Sequence, residues 1–151
     1  MGTALSGIGE HAKAEARFRS THTAACRTLG KKHVETARFL NNLAWQLDLM
    51  GRSVEAVPMY LEVIETYTLV LGLDHPQRLR SEVNLATALS NAGQFKEAEI
   101  VFVRAEEALI RVEGPYHQDT LIAQSNRGVH FAPLERRRPT GGRASCPRPT
   151  R

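Results

Sequence analysis

Three histidines, His33, His75 and His117, recur 42 residues apart. Imidazole is the commonest metal ligand and a frequent general base, so a regular histidine series first suggests chemistry. The interval argues against it. Forty-two residues is the length of a structural repeat, and equivalent positions in a stack of repeats lie one whole unit apart, too far to share an ion. These residues are expected in turns, with no metal and no cofactor. Cys26 and Cys146 are too few and too distant for a disulfide framework or a paired-ligand site, and Cys26 is expected as a buried, inert thiol. Glu106 and Glu107 are adjacent on a helix and point apart, which suits a solvated face. No glycine-rich phosphate loop is present. Nothing in this set supports an enzyme.

A second set of residues suits binding. Arg38, Asn42 and Trp45 stand at i, i+4 and i+7, which places them on one helical face, with Asn41 beside them. Arg80, Asn84 and Thr87 repeat that face 42 residues later, and Asn126 continues it. An asparagine amide both donates and accepts, so it can pair with a ligand backbone without reading its side chains. Arginine pairs bidentately with carboxylates. Trp45 offers a platform for a bulky side chain. The eight residues together fit an extended peptide of another protein, acidic where it meets the arginines. Asp48 stands on the same side and opposes an acidic ligand. The competing use of the asparagines is to cap or bridge neighbouring helices.

The elements that must position these residues follow from glycine spacing. Gly9, Gly30, Gly51, Gly72, Gly93 and Gly114 are each 21 residues apart, six of the 11 glycines in the chain. The full period is 42: residues 31–72 and 73–114 are identical at 12 positions, among them Leu43-Ala44 with Leu85-Ala86 and Glu55-Ala56 with Glu97-Ala98. Between glycines the pattern is helical. Leu40, Leu43, Ala44 and Leu47 form one apolar stripe, and Ala56, Tyr60, Val63 and Tyr67 form the next. Glycine ends each helix because a left-handed residue is tolerated there, and Pro76 and Pro115 suit the start of the following one. No segment alternates in the manner of a strand.

The predicted unit is therefore a hairpin of two helices, A and B, and the predicted fold is an all-α solenoid of stacked hairpins with about seven helices. A half unit spans 1–30 (the end of an A helix at residues 1–6, then a B helix from Glu10 to Leu29). Full units span 31–72 and 73–114, and a lone A helix spans 117–131. In such stacks the A helices line a concave groove. Glu82 and Gln124 stand where unit one has Leu40, which predicts weaker packing there. The start, Met1-Gly2-Thr3-Ala4-Leu5-Ser6, fits an acylation pattern, but Ala4 and Leu5 align with Ala88 and Leu89 and read as helix. A half repeat leaves an apolar stripe uncovered. That leads to the expectation of a piece of a longer array, or of self-association through uncapped repeat ends.

Three phrases carry a family resemblance. Leu71-Gly72-Leu73-Asp74-His75-Pro76, Leu40-Asn41-Asn42-Leu43-Ala44 and Gly93-Gln94-Phe95-Lys96-Glu97-Ala98-Glu99 resemble the connector, helix A and helix B turn of the tetratricopeptide repeat, in the 42-residue form of kinesin light chains. The resemblance covers about residues 1–131. It implies a right-handed solenoid, and it implies that the matching asparagine and basic positions of helix A contact acidic, tryptophan-containing peptides. Kinesin association itself does not follow, since no heptad coiled coil is present.

Charge separates the chain in two. The whole carries +4. Residues 1–131 hold 14 Lys/Arg and 15 Asp/Glu, whereas 132–151 hold six arginines and one glutamate. The basic character, including Arg136-Arg137-Arg138, belongs to a tail rich in proline and poor in large apolar residues, expected to be disordered. No aromatic is interleaved there for base stacking, so nucleic acid is not expected as a partner. A membrane is not expected either, since no apolar run reaches 18 residues, nor is a small-molecule substrate, since no catalytic set or phosphate loop is present. A cytoplasmic interaction module is the leading expectation. The alternatives are a non-catalytic regulatory fragment of a larger enzyme or NTPase, and an adaptor whose basic tail binds nucleic acid or anionic membrane.

Overall fold

The computed structural model describes residues 2–135, with side chains described for residues 9–131. It is all-α. Six helices follow one another: α1 (Gly2–Thr28), α2 (Val34–Leu49), α3 (Ser53–Leu71), α4 (Pro76–Asn91), α5 (Phe95–Glu113) and α6 (Gln118–Glu135). Sequential helices pack as antiparallel neighbours, α2 on α3 and α4 on α5, and α3 packs on α4 to join the units. The A helices α2, α4 and α6 also touch one another in order, whereas the B helices α3 and α5 make no close approach among the described residues. The A helices therefore form the inner face of the solenoid.

One continuous core runs along the stack. Leu40, Leu43, Leu47, Tyr60, Val63 and Tyr67 join Leu79, Leu85, Ala86, Phe102 and Leu109, and Phe18 and Phe131 close on it from either end. Phe18, Tyr60 and Phe102 are the same register position in successive B helices, so one aromatic per unit fills the space between A and B. His130 stacks on Phe102 at 6.1 Å and Phe131 meets its edge at 6.0 Å, which docks α6 on this aromatic.

The turns explain the period. In the A-to-B turn, Arg52 N donates to Leu47 O and Gln94 N donates to Leu89 O, the six-to-one bond that closes a helix around a left-handed residue. Gly51 and Gly93 supply that residue with φ of 75° and 83°. In the B-to-A connector the histidines are helix caps: Nδ1 of His33 accepts from Glu35 N at 3.1 Å, Nδ1 of His75 from Gln77 N at 3.2 Å, and Nδ1 of His117 from Asp119 N at 3.3 Å. Each satisfies an amide left over at a helix start, which is the structural role the period implied.

Two expectations are corrected. Seven helices become six because Gly9 does not interrupt the chain. It lies inside α1 without a positive φ, and the expected half A helix and first B helix are one 27-residue helix. Glycine permits a reversal, but packing across a hairpin imposes one. The final helix also passes residue 131 and runs to Glu135, four residues into the stretch expected to be disordered. Arg136 to Arg151, with the basic run, lie outside the described residues.

Glu82 shows how unit two departs from unit one without losing its core. Its carboxylate is 1% exposed, and Oε1 accepts from Arg78 Nη2 at 3.0 Å and from Arg104 Nη2 at 2.6 Å. Arg78 in turn donates to Thr68 Oγ1 at 2.8 Å and to Leu73 O at 2.7 Å. At the register position of Arg78, units one and three place Thr36 and Thr120, whose hydroxyls donate to Gly30 O and Gly114 O. Unit two has exchanged the Thr–Leu pair of Thr36 and Leu40 for the ion pair Arg78–Glu82, and two guanidinium groups converge on one oxygen of the buried acid. Gln124, at the same position in unit three, is exposed.

Candidate functional site

The inner face presents a cleft of about 240 Å³ where α2 and α4 run side by side. Arg38 and Asn41 line it from α2, and Gln77, Arg80, Ser81 and Asn84 line it from α4. Tyr67, near the end of α3, lines it as well. Four of the eight residues singled out in the sequence therefore share one cavity: Arg38, Asn41, Arg80 and Asn84.

Their partners differ in kind. Asn41 Oδ1 accepts from Ser81 Oγ at 3.1 Å, so this amide bridges α2 to α4 while still lining the cleft. Arg80 Nε lies 3.1 Å from Asp119 Oδ2 of α6. Arg38 pairs with Glu35 on its own helix, and its guanidinium lies 5.4 Å from the ring centre of Phe39. Glu35, Gln77 and Asp119 are one register position in three units, and Gln77 is the uncharged member. The cation of unit two is thus clasped by an acid from the next unit, and the cation of unit one faces an amide.

Tyr67 is a cleft residue that its sequence context concealed, because it continues the Ala56–Tyr60–Val63 core stripe. The side chain is 3% exposed. Burial raises its phenol above the ordinary range; Arg38 and Arg80 draw it down and Glu35 draws it up. The phenol therefore lies within electrostatic reach of both guanidinium groups and stays protonated, a hydrogen-bond donor at neutral pH.

The remaining four residues stand elsewhere. Asn42 lines a separate hollow of about 300 Å³ between α1 and α2, with Phe18 and Phe39. This hollow lies between a B helix and the following A helix, whereas the cleft of Asn84 lies between two A helices, so the two asparagines line cavities of different kinds. Trp45 is half exposed one turn further along α2, with Leu49 exposed beyond it. Thr87 spends its hydroxyl on its own helix, donating to Val83 O at 3.0 Å. Asn126 is half-buried on α6. Asp48, expected to oppose an acidic ligand, is engaged: Ser53 Oγ donates to it at 2.5 Å and Asn91 Nδ2 at 3.1 Å.

Two groupings outside the groove contain reactive side-chain types. Cys26 is half-buried rather than buried, and its Sγ lies 3.4 Å from His22 Nε2, one turn away on α1. Glu113, His117 and Asp119 place ligand-type atoms within 4.8 Å of one another. There, His117 Nδ1 already faces Asp119 N and lies 2.8 Å from Glu113 Oε2. Among the described residues no helix is long and apolar enough to cross a membrane.

Comparison with known proteins agrees with this architecture. A family model described as tetratricopeptide repeat matches residues 1–69 and again 47–110. The clustered mitochondria protein homolog of Danio rerio is 29% identical over 100 residues, which is 66% of this chain and 7% of that protein. Its counterpart in Homo sapiens is 27% identical over 100 residues, covering 66% of this chain and 8% of its own length. The chain thus spans less than a tenth of the curated relatives it matches. Stacked helix hairpins of this kind are protein–protein interaction scaffolds, a class that generally works without catalysis. Six helices punctuated at a 42-residue period, one shared core and two overlapping family matches agree: the chain belongs to the tetratricopeptide repeat family.

Proposed function

We propose that this solenoid grips an extended, acidic peptide segment of another protein along the face formed by α2, α4 and α6, and performs no chemistry of its own. The observation that carries this reading is the cleft between α2 and α4, where two arginines and two asparagines converge. Amides that donate and accept suit a ligand backbone, and guanidinium groups suit its carboxylates. Trp45, half exposed on the same helix, offers an apolar contact beyond the polar cleft. The likeness of the helix A and connector phrases to the kinesin light chain form of the repeat supports the same ligand class. The lengths of the matched relatives support a further element of the proposal, that such a segment acts as the binding part of a larger protein.

An array of extended peptides, varied in acidic and aromatic content, tests the reading. The full chain is expected to select acidic members. The double variant Asn42→Ala/Asn84→Ala is expected to lose them, and a chain ending at Glu135 to keep them. Selection that follows residues 136–151 instead, or binding to DNA or anionic vesicles that vanishes with them, would replace the groove with the basic tail.

A further inference from the structure

The turn between α5 and α6 departs from the earlier connectors at the residue before its glycine. That residue is Leu29 ahead of Gly30 and Leu71 ahead of Gly72, but Glu113 ahead of Gly114. The Glu113 side chain is only 12% exposed, and its Oε2 is closed off from solvent. Among the described residues that oxygen accepts no hydrogen bond, although His117 Nδ1 lies 2.8 Å from it. The ring nitrogen already accepts from Asp119 N at 3.3 Å. Two lone pairs therefore face each other. A buried carboxylate oxygen in that position is costly unless a positive charge is shared between the two atoms.

Asp119 completes a set of three. Glu113, His117 and Asp119 each bring one ligand-type atom to within 4.8 Å of the others. The same positions hold Leu29, His33 and Glu35 in unit one and Leu71, His75 and Gln77 in unit two, so neither earlier connector can assemble the set. One imidazole with two carboxylates suits a first-row divalent ion such as zinc, at about 2.0–2.2 Å from each ligand. Bonds of that length at a right angle set neighbouring ligands about 3 Å apart. The 2.8 Å between Glu113 and His117 is close to that spacing. Charge sets the strength. Arg80 pairs with Asp119 Oδ2, and the start of α6 adds roughly half a positive charge. Two carboxylates outweigh both by a small margin, which fits a modest, exchangeable affinity.

We infer that the α5–α6 connector binds a divalent transition-metal ion of the zinc class, with Glu113 Oε2, His117 Nδ1 and the Asp119 carboxylate as protein ligands and water in the open positions. The ion takes over the lone pair that now meets Asp119 N, and it ties the end of α5 to the start of α6. Asp119 also holds Arg80 of α4, so the ion acts on the joint between units two and three.

The test is a calorimetric titration of zinc into the full chain at neutral pH, with thermal melts alongside. The chain carries Cys26→Ser/Cys146→Ser, because Cys26 lies 3.4 Å from His22 and that pair competes for zinc. One ion per chain is expected. With zinc in hundredfold excess over its dissociation constant, the melting temperature is expected to rise by about 5–10 °C. Glu113→Leu installs the residue of the two earlier connectors, so it is expected to fold and to weaken binding at least about tenfold, the worth of one charged ligand. His117→Asn keeps a capping side chain, removes the imidazole, and is expected to weaken binding as much. Zinc binding that survives either substitution marks an adventitious ion only and overturns the inference. Magnesium binding as tight as zinc overturns it too, since the imidazole then contributes nothing. So does the lack of a saturable heat or a melting shift.

Discussion

Arg80 of α4 and Asp119 of α6 lie 3.1 Å apart, a bond that ties one repeat to the next. One unit earlier the same two register positions hold Arg38 and Gln77, which line a common cleft without a charge pair. A single difference in sequence, acid to amide, converts an inter-repeat clasp into an open cation. Gln77→Asp should therefore restore the clasp. Its backbone is unaffected in principle, since Gln77 N is capped by His75 and Gln77 O accepts from Ser81 Oγ, neither through the side chain. An acid in the first turn of α4 is also favoured by the helix dipole, by about 0.3–1 kcal/mol. The expected outcome is a melting temperature unchanged or slightly raised, with affinity for acidic peptides lowered at least about tenfold by the loss of one charge-assisted contact. Thermal melts and fluorescence polarisation measure the two effects separately. Undiminished peptide affinity would show that Arg38 is not the cation that the ligand uses.

A second prediction concerns a hydroxyl that the core does not use. Tyr60 is fully buried, and its Oη has no hydrogen-bond partner among the described residues. Burial, with Asp48 adding to it, pushes this phenol far above its ordinary range. The same register position is phenylalanine in the other B helices, Phe18 and Phe102, so the ring fits without its oxygen. Tyr60→Phe removes a desolvated polar atom and no contact. It should stabilise the fold by about 1 kcal/mol, near the lower end of the cost of an unsatisfied buried group. For a chain of this size that is a rise of about 2–4 °C in melting temperature. Tyr67→Phe should bring no such gain, because its hydroxyl meets the cleft. A drop in melting temperature on Tyr60→Phe would reveal a partner for the hydroxyl.

The repeat, its period and the turn histidines were legible because each rests on local physics. A glycine at positive φ and a side chain that caps its own helix need only a few neighbouring residues. The cleft was half legible. Arg38, Asn41, Arg80 and Asn84 follow from helical spacing, but which of them share a cavity depends on how α2 sits against α4. Asn41 shares the cleft with Asn84, whereas the register partner Asn42 lines another cavity, since the cleft runs between units and not within them. Tyr67 was hidden by its own regularity: it continues a core stripe, and only the end of α3 brings it under two arginines. Glu82 read as a flaw in the core because its compensation lies at Arg78, one turn away, and Arg104, on another helix. A departure that spans two helices has no signature in a single register.

Gly9 and Gly72 offer the sharpest contrast for a final prediction. Both belong to the 21-residue glycine series, and neither has an atom within 4 Å of where a Cβ would stand. Space therefore decides nothing, and backbone conformation decides everything. Gly72 ends α3 at φ 96°, and Gly72 N donates to Tyr67 O at 3.2 Å. An L side chain there is strained, so Gly72→Ala should cost about 1–2 kcal/mol. Gly9 lies within the helical run of α1, where alanine is favoured over glycine by roughly 0.5–1 kcal/mol. Gly9→Ala should accordingly raise the melting temperature by about 1–4 °C, while Gly72→Ala lowers it by about 2–8 °C. The outcome also distinguishes two folds for the first 30 residues. A hairpin at Gly9, as the glycine period alone implies, would make both substitutions destabilising by similar amounts. A continuous α1 makes them opposite in sign, and paired thermal melts of the two variants settle which one the chain adopts.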